Sequence, residues 1–176
     1  MKVTFWGTRG SIPVSITAPD IRAKLITALD AAASLELDSR ERIEQFVDSL
    51  DFSIAGSFGG HSSCVEVEVD ASTHAILDLG SGARPLAASL MRQAAGQPRT
   101  YHVFMSHLHW DHIMGFPFFT PVYIPGNRIV IHSCHPQVEE AFRRQQSAPC
   151  FPVEFDALGA TIEFDVVAPD SPVRIA

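Results

Sequence analysis

The sequence predicts a mixed α/β domain, in which helices are layered on a sheet. The chain has 176 residues, 46% of them hydrophobic and 19% charged, which is typical of one domain with a substantial core. Strand and helix patterns follow one another in the order β, helical insert, ββ, α, β, a histidine-rich segment, β, α, β. The histidine-rich segment comes directly after a buried strand, which is where α/β proteins tend to carry their sites.

The N-terminal part is interpreted as a strand, a loop and a helical insertion. Alternating apolar residues predict a strand over residues 2–6, and Gly and Pro mark residues 7–13 as a loop. A helical hairpin is then inserted over residues 15–55, either as a packing or lid element or as a substrate-specific one. Its helices are predicted over 20–34 and 40–50, with Asp20 and Ser39 as N-caps.

The rest of the chain alternates between strands and helices. Strict alternation over residues 64–70 is typical of a strand with one solvent face, whereas the apolar run over 74–79 predicts a buried strand. No repeat, low-complexity segment or linker interrupts this part of the sequence. Further strands are predicted over 101–106, 128–132, 161–167 and 172–175, and helices over 83–95 and 137–146.

Composition excludes several classes of protein. Lys and Arg number 13 and Asp and Glu number 20, which gives a net charge of −7. An acidic chain is a poor general binder of nucleic acid, so no extended nucleic-acid surface is expected. Cys64, Cys134 and Cys150 show no disulfide pattern, and neither a signal peptide nor a membrane span is evident. We therefore expect a cytoplasmic protein without a membrane partner.

Residues 107–112, His-Leu-His-Trp-Asp-His, carry the strongest chemical pattern. In an extended segment His107 and His109 project to the same side, where two imidazoles can bind one metal ion. Asp111 and His112 follow a turn and suit a second ion of Zn, Mn or Fe. Two such ions can share a hydroxide and hold an ester oxygen.

Several nearby residues are interpreted as structural. His74, His102 and His132 stand alone in the sequence, and an isolated histidine is usually a hydrogen-bonded interior group. Leu108 and Trp110, which separate the predicted ligands, are expected to be packing residues.

The histidine pattern and its surroundings resemble the metallo-β-lactamase-fold hydrolases, in the phosphodiesterase-like branch near ribonuclease Z and cyclic-nucleotide phosphodiesterases. The resemblance implies an αββα sandwich. Residues 1–176 would be a single incomplete domain, corresponding to the N-terminal half of the family fold, with three further metal ligands in a second half beyond Ala176. The segments that carry the resemblance are Phe5-Trp6-Gly7-Thr8-Arg9-Gly10-Ser11, Gly59-Gly60-His61-Ser62-Ser63-Cys64, Leu77-Asp78-Leu79-Gly80-Ser81-Gly82 and residues 105–119.

The resemblance also implies roles for individual residues. His107 and His109 would bind the first metal ion, and Asp111 and His112 the second, with Asp111 also acting catalytically by orienting the hydroxide. Asp78 would orient the ligands or loops of the site; the alternative is an Asp that initiates the turn at Gly-Ser-Gly. Three loop residues, Thr8, Ser11 and His61, are candidates for contact with substrate, against plain turn or structural roles.

Three functions remain open at this stage. The first is a hydrolase with two divalent metal ions, Zn or else Mn or Fe, that cleaves small-molecule or nucleotide phosphodiesters through a metal-bridging hydroxide. The second keeps the fold and hydrolyses a thioester or lactam. The third is a truncated, inactive domain that either binds metal or forms homodimers, the latter because a half-domain would expose an apolar sheet face.

Overall fold

The computed structural model describes residues 1–70 and 73–175. The chain divides into two compact units. One consists of residues 1–13 together with the chain from His61 onward, and the other consists of residues 14–60. Within the described residues, no helix combines the length and the apolar character that crossing a membrane requires.

The larger unit is built on a mixed six-stranded sheet whose strands lie side by side in chain order. The strands are β1 (Lys2–Gly7), β2 (Cys64–Glu68), β3 (Thr73–Leu77), β4 (Thr100–Met105), β5 (Arg128–Ser133) and β6 (Thr161–Val166). β1, β2 and β3 pair antiparallel, whereas β3, β4, β5 and β6 pair parallel. The prediction of an α/β fold with a mixed sheet is confirmed at this level.

Helices cover one face of this sheet. They are α4 (Ala83–Ala94), α5 (Trp110–Ile113) and α6 (Val138–Gln145). Ile76, Val103 and Ile131 occupy paired positions of β3, β4 and β5 and are completely buried. They form one core cluster with Leu86 of α4 and Phe142 of α6. Each fully buried side chain of this size contributes roughly 1.5–3 kcal/mol, so this face is the main source of stability.

The opposite face exposes apolar side chains near the β1 edge. Val3 and Phe5 of β1 and Leu77 of β3 are 49%, 69% and 42% exposed. Phe5 pairs with Val65, and Val65 pairs with Leu77, so these side chains project from the same face.

A hydrogen-bonded row of side chains crosses β4, β5 and β6 on the same opposite face. His132 Nδ1 lies 2.8 Å from Asp165 Oδ2, and His132 Nε2 lies 3.0 Å from His102 Nδ1. Because a carboxylate only accepts, His132 Nδ1 carries the proton, and its Nε2 accepts from the Nδ1–H of His102 when both rings are neutral. His102 and His132 are therefore hydrogen-bonded interior histidines, as predicted. Burial, reinforced by His132 and Arg128, lowers the pKa of His102.

A second buried group joins β1, β2 and β3. Glu66 accepts a hydrogen bond from Trp6 Nε1 at 3.0 Å and lies 2.9 Å from His74 Nδ1. Burial alone raises the pKa of Glu66, but these two hydrogen bonds, together with the charges of His74 and Lys2, outweigh burial and hold the pKa below its usual value. His74 Nε2 and the Tyr101 hydroxyl have no hydrogen-bond partner among the described residues. His74 was predicted to be a hydrogen-bonded interior histidine, and this is confirmed for its Nδ1 but not for its Nε2.

The smaller unit contains three helices, α1 (Ala18–Ala32), α2 (Arg40–Ser49) and α3 (Phe52–Ala55). Ser39 caps α2 as predicted. The N-cap of α1 is Thr17, not Asp20; Asp20 is the third helical residue and completes a capping box with Thr17. The helix begins earlier than predicted because Pro19 is compatible with its first turn, where no backbone N–H is needed. Lys24 Nζ of α1 donates to the carbonyl oxygens of Ser53 and Gly56.

Two parts of the larger unit differ from the sequence prediction. Residues 172–175 were predicted as a strand but form no regular secondary structure, and Pro172 cannot donate to a strand ladder. Short helices between β4 and β5 were not predicted. They comprise α5 and the 3₁₀ turns Phe116–Phe118 and Thr120–Tyr123; a further 3₁₀ turn lies at Phe155–Ala157.

The lowered pKa of His102 predicts a pH-dependent contribution to stability. Since the folded protein holds this proton less tightly than the unfolded chain, the contribution is present above the unfolded-state pKa of about 6.5 and is lost as the pH falls. His102→Gln removes this titration and leaves His132, Asp165 and Arg128 in place. Urea unfolding at pH 7.5 and 5.5 should show a larger acid-induced loss of unfolding free energy in the wild type. Equal losses in the two proteins would contradict this expectation.

Candidate functional site

The histidine-rich segment begins where β4 ends. Ser106 follows the last residue of β4, His109 is extended and serves as N-cap of α5, and the His112 backbone N–H donates to the His109 carbonyl oxygen at 3.0 Å. The segment is therefore extended in its first half and helical in its second. This change of direction brings the rings together: the His107 centroid lies 4.6 Å from that of His109 and 3.9 Å from that of His112.

Asp111 completes this cluster of four residues, which we call the histidine cluster: His107, His109, Asp111 and His112. Asp111 Oδ2 lies 3.3 Å from His112 Nε2. The structure thus brings the four predicted ligands together at one edge of the sheet. Among residues 1–70 and 73–175, however, no group of three or more His, Cys, Asp or Glu side chains has an arrangement that could hold a metal ion.

Asp78 connects the end of β3 to the histidine cluster. Its Oδ2 lies 2.8 Å from His112 Nδ1 and accepts from Ser63 Oγ at 3.1 Å. Its Oδ1 accepts from the backbone N–H of Ser106 at 2.8 Å and from the Ser106 hydroxyl at 2.9 Å. Asp78 is buried and has a φ of +61°, a left-handed conformation that Asp tolerates better than most residues. Strained backbone of this kind often marks a functional site.

The Asp78 carboxylate determines which nitrogen of His112 carries the proton. Because the carboxylate accepts, the neutral ring donates from Nδ1 and keeps the lone pair on Nε2. That lone pair is on the side of the ring that approaches Asp111. Metal-binding histidines characteristically have their second nitrogen fixed by a carboxylate in this way.

Backbone contacts beneath the histidine cluster require glycine. The Leu79 N–H donates to the His112 carbonyl oxygen, and the Gly115 N–H donates to the Leu79 carbonyl oxygen, both at 2.8 Å. A Cβ at Gly80 would lie 2.5 Å from the Asp111 carbonyl oxygen, and a Cβ at Gly115 would lie 1.9 Å from the Gly80 carbonyl oxygen. Any larger residue at these positions would displace α5 from the end of β3.

The three predicted loop residues have different positions. Ser11 reaches the histidine cluster through its backbone: its N–H donates to Asp111 Oδ2 at 2.9 Å, and its φ is +62°. The Thr8 N–H donates to the His61 carbonyl oxygen at 3.0 Å, and His61 Nδ1 lies 3.1 Å from Ser81 Oγ. Among the hydrogen bonds of the described residues, neither Thr8 nor His61 contacts the histidine cluster.

Three residues at the site were missed by the sequence analysis. Ser106 Oγ lies 3.0 Å from His107 Nδ1, Ser62 Oγ donates to the Asp111 carbonyl oxygen at 2.7 Å, and His135 Nε2 lies 3.3 Å from the Ser106 carbonyl oxygen. The position of Ser106, as the last residue of a predicted strand and directly before the motif, was a usable signal. The contact of His135 depends on the pairing of β5 with β4, which the sequence pattern does not specify.

Local electrostatics favour a neutral His107. Burial lowers the pKa of His107, the neighbouring His112 and His109 lower it further, and the carboxylates of Asp78 and Asp111 act in the opposite sense. A neutral imidazole retains the lone pair that metal binding requires.

The two residues interpreted as packing residues differ from each other. Leu108 is half-buried and packs against the core cluster, as predicted. Trp110 is 65% exposed, so its prediction as a packing residue is wrong. As the first residue of α5 it points away from the core that Ile113 enters.

Comparison of this chain with protein-family models, with curated proteins and with solved structures gives no match. The resemblance to the metallo-β-lactamase-fold hydrolases therefore depends on residues 5–11, 59–64, 77–82 and 105–119.

Proposed function

We propose that the protein is a metal-dependent hydrolase of phosphodiesters and that the histidine cluster is its metal centre. The observation that carries this proposal is the hydrogen bond between the buried Asp78 carboxylate and His112 Nδ1, at 2.8 Å. It directs the free lone pair of His112 toward the carboxylate of Asp111, beside two further imidazoles. Such an arrangement has little use in packing, whereas it is typical of metal ligands.

The donor set fits a divalent transition metal in its chemistry. His107, His109 and His112 offer imidazole nitrogens and Asp111 offers carboxylate oxygens, which are the donors that Zn, Mn and Fe accept in proteins. Divalent ions bound by these side chains would act as Lewis acids on the phosphoryl oxygen of an ester.

Asp111 and Asp78 have different roles in the proposed reaction. Asp111 is held in place by the Ser11 N–H and remains able to accept a hydrogen bond from an attacking water, which would orient that water. Asp78 keeps His112 in the correct tautomer and, through Ser106, fixes the start of the cluster segment. Such positioning is a large part of catalysis, because the reacting groups must be aligned before reaction.

We further propose that the fold is of the metallo-β-lactamase type. Two features support this proposal. β3 and β4 are parallel neighbours, so Asp78 and His107, which follow them, emerge at the same edge of the sheet. In addition, the segments that resemble the family at residues 5–11, 59–64 and 77–82 all contribute a backbone or side-chain contact near the cluster.

Replacement of either His107 or His109 should release bound metal ions. We expect His107→Ala and His109→Ala each to weaken metal binding by more than about 100-fold, since loss of a ligand costs more than loss of an outer partner. Metal content per chain after dialysis, measured by mass spectrometry, tests this, and hydrolysis of a bis-aryl phosphate should fall in parallel. His61→Ala, which removes an exposed imidazole outside the cluster, is the matched control. Unchanged metal content in both histidine variants would contradict the assignment of the histidine cluster as a metal site.

Replacement of the buried carboxylate should affect metal binding without removing a ligand. For Asp78→Asn we expect an affinity loss of about 10–100-fold, because an amide has a single accepting oxygen and cannot accept from both the Ser106 N–H and His112 Nδ1. Glu66→Gln is the control, since it makes the same change in the buried Glu66–His74 pair, away from the cluster. The assignment is wrong if metal titration of the folded proteins gives the same affinity for the two variants.

A further inference from the structure

An apolar pocket of about 670 Å³ lies beside the histidine cluster. Part of its lining is interleaved with the predicted ligands: Leu108 and Trp110 alternate with the histidines, and Ile113 directly follows His112. The remaining lining comes from the turn after α5, from α6 and from the segment that follows α6. Its volume falls in the range of small-molecule sites, which is about 300–1,000 Å³.

Three aromatic side chains line this pocket: Trp110, Phe118 and Phe151. Trp110 and Phe118 are 65% and 54% exposed. Phe118 packs edge-on against Phe151, with ring centroids 5.7 Å apart. The Trp110 ring is thus free to stack against a planar group.

Arg144 contributes a positive charge to the lining of the pocket. Its guanidinium lies 2.6 Å from Glu140 and its side chain is largely exposed to solvent. A guanidinium can stack on a planar ring and attracts an anion. The apolar lining with Trp110 therefore favours a ligand with a flat apolar group, and Arg144, whose charge is shared with Glu140, can contact a negative group on that ligand, as in an aryl phosphate or a nucleotide.

We propose that this pocket binds the planar aromatic group of the ester that the histidine cluster hydrolyses, with Trp110 as the stacking residue. This inference rests on the proposed function. It adds a binding site for the planar group of the ester, an aryl group or a nucleobase, in the pocket lined by Trp110. Trp110 lies between His109 and Asp111, so a ring stacked on it is held next to the proposed metal centre.

Binding can be measured separately from hydrolysis, in metal-free protein with chelator present. The chain has two tryptophans, so Trp6→Phe makes the fluorescence report Trp110 alone. Phenylphosphonate and adenosine 5′-monophosphate should quench this fluorescence saturably, and methylphosphonate, which lacks a ring, should not. Quenching by only one aromatic compound also supports the proposal and identifies an aryl group or a nucleobase as the preferred ligand. Absence of saturable quenching by both would overturn it.

Thiol protection supplies a second readout that does not need the Trp6 substitution. Cys150 lines the pocket and Cys134 is exposed elsewhere, so Cys134→Ser leaves one exposed thiol for a colorimetric disulfide reagent. The aromatic compound that quenches Trp110 fluorescence should slow the reaction of Cys150 with the reagent. In Trp110→Ala, the ligand concentration needed for this protection should rise by about 5–100-fold. Phe5→Ala, which removes an exposed aromatic side chain on the opposite sheet face, should retain it.

The same variants distinguish the proposed ligand pocket from the proposed hydrolase function. If aromatic ligands protect Cys150 but no metal-dependent hydrolysis occurs, the pocket assignment stands and the proposed function fails. If metal-dependent hydrolysis of phosphodiesters occurs and Trp110→Ala changes neither ligand protection nor the KM for aryl esters, the pocket assignment fails alone.

Discussion

The carboxylate of Asp78 is the constraint on which the site depends. One oxygen accepts from the backbone N–H of Ser106, which follows β4, and the other contacts His112 and Ser63; the Ser106 hydroxyl lies within hydrogen-bond distance of both oxygens. A single buried side chain therefore ties together the ends of β2, β3 and β4. Because the carboxylate is taken out of water, it is stable there only with all these partners in place. Asp78 directs its carboxylate toward the histidine cluster from a left-handed backbone conformation, which is locally unfavourable for a residue other than glycine.

Among the described residues, three histidines place Nδ1 within hydrogen-bond distance of a carboxylate: His74, His112 and His132. In Glu66–His74 the second ring nitrogen has no partner among the described residues, and in Asp165–His132 it faces His102. Only Asp78–His112 directs the second nitrogen toward a further carboxylate, with two more imidazoles beside it. The other pairs hold strands together. The Asp78–His112 pair belongs to the metal centre that we propose.

Local patterns predicted most of the fold, because burial and alternation specify strands and helices directly. The ligand spacing within residues 107–112 pointed to the four residues of the histidine cluster, because spacing is a local feature, whereas Asp78 was indicated by the family resemblance. Contacts made across the sheet were not accessible in this way: His135 reaches Ser106 only through the register of β4 and β5. The exposure of Trp110 was mispredicted because hydrophobicity alone does not reveal which face of a short helix is covered.

The tautomer of His112 is the most direct test of this account. Long-range ¹H–¹⁵N NMR correlation of the metal-free protein, at a pH where the ring is neutral, identifies the protonated nitrogen of each imidazole. If Asp78 organises the site, His112 carries its proton on Nδ1 and its lone pair on Nε2. A His112 ring protonated on Nε2 in the wild-type protein would contradict the central claim, because no lone pair would then face the proposed metal centre.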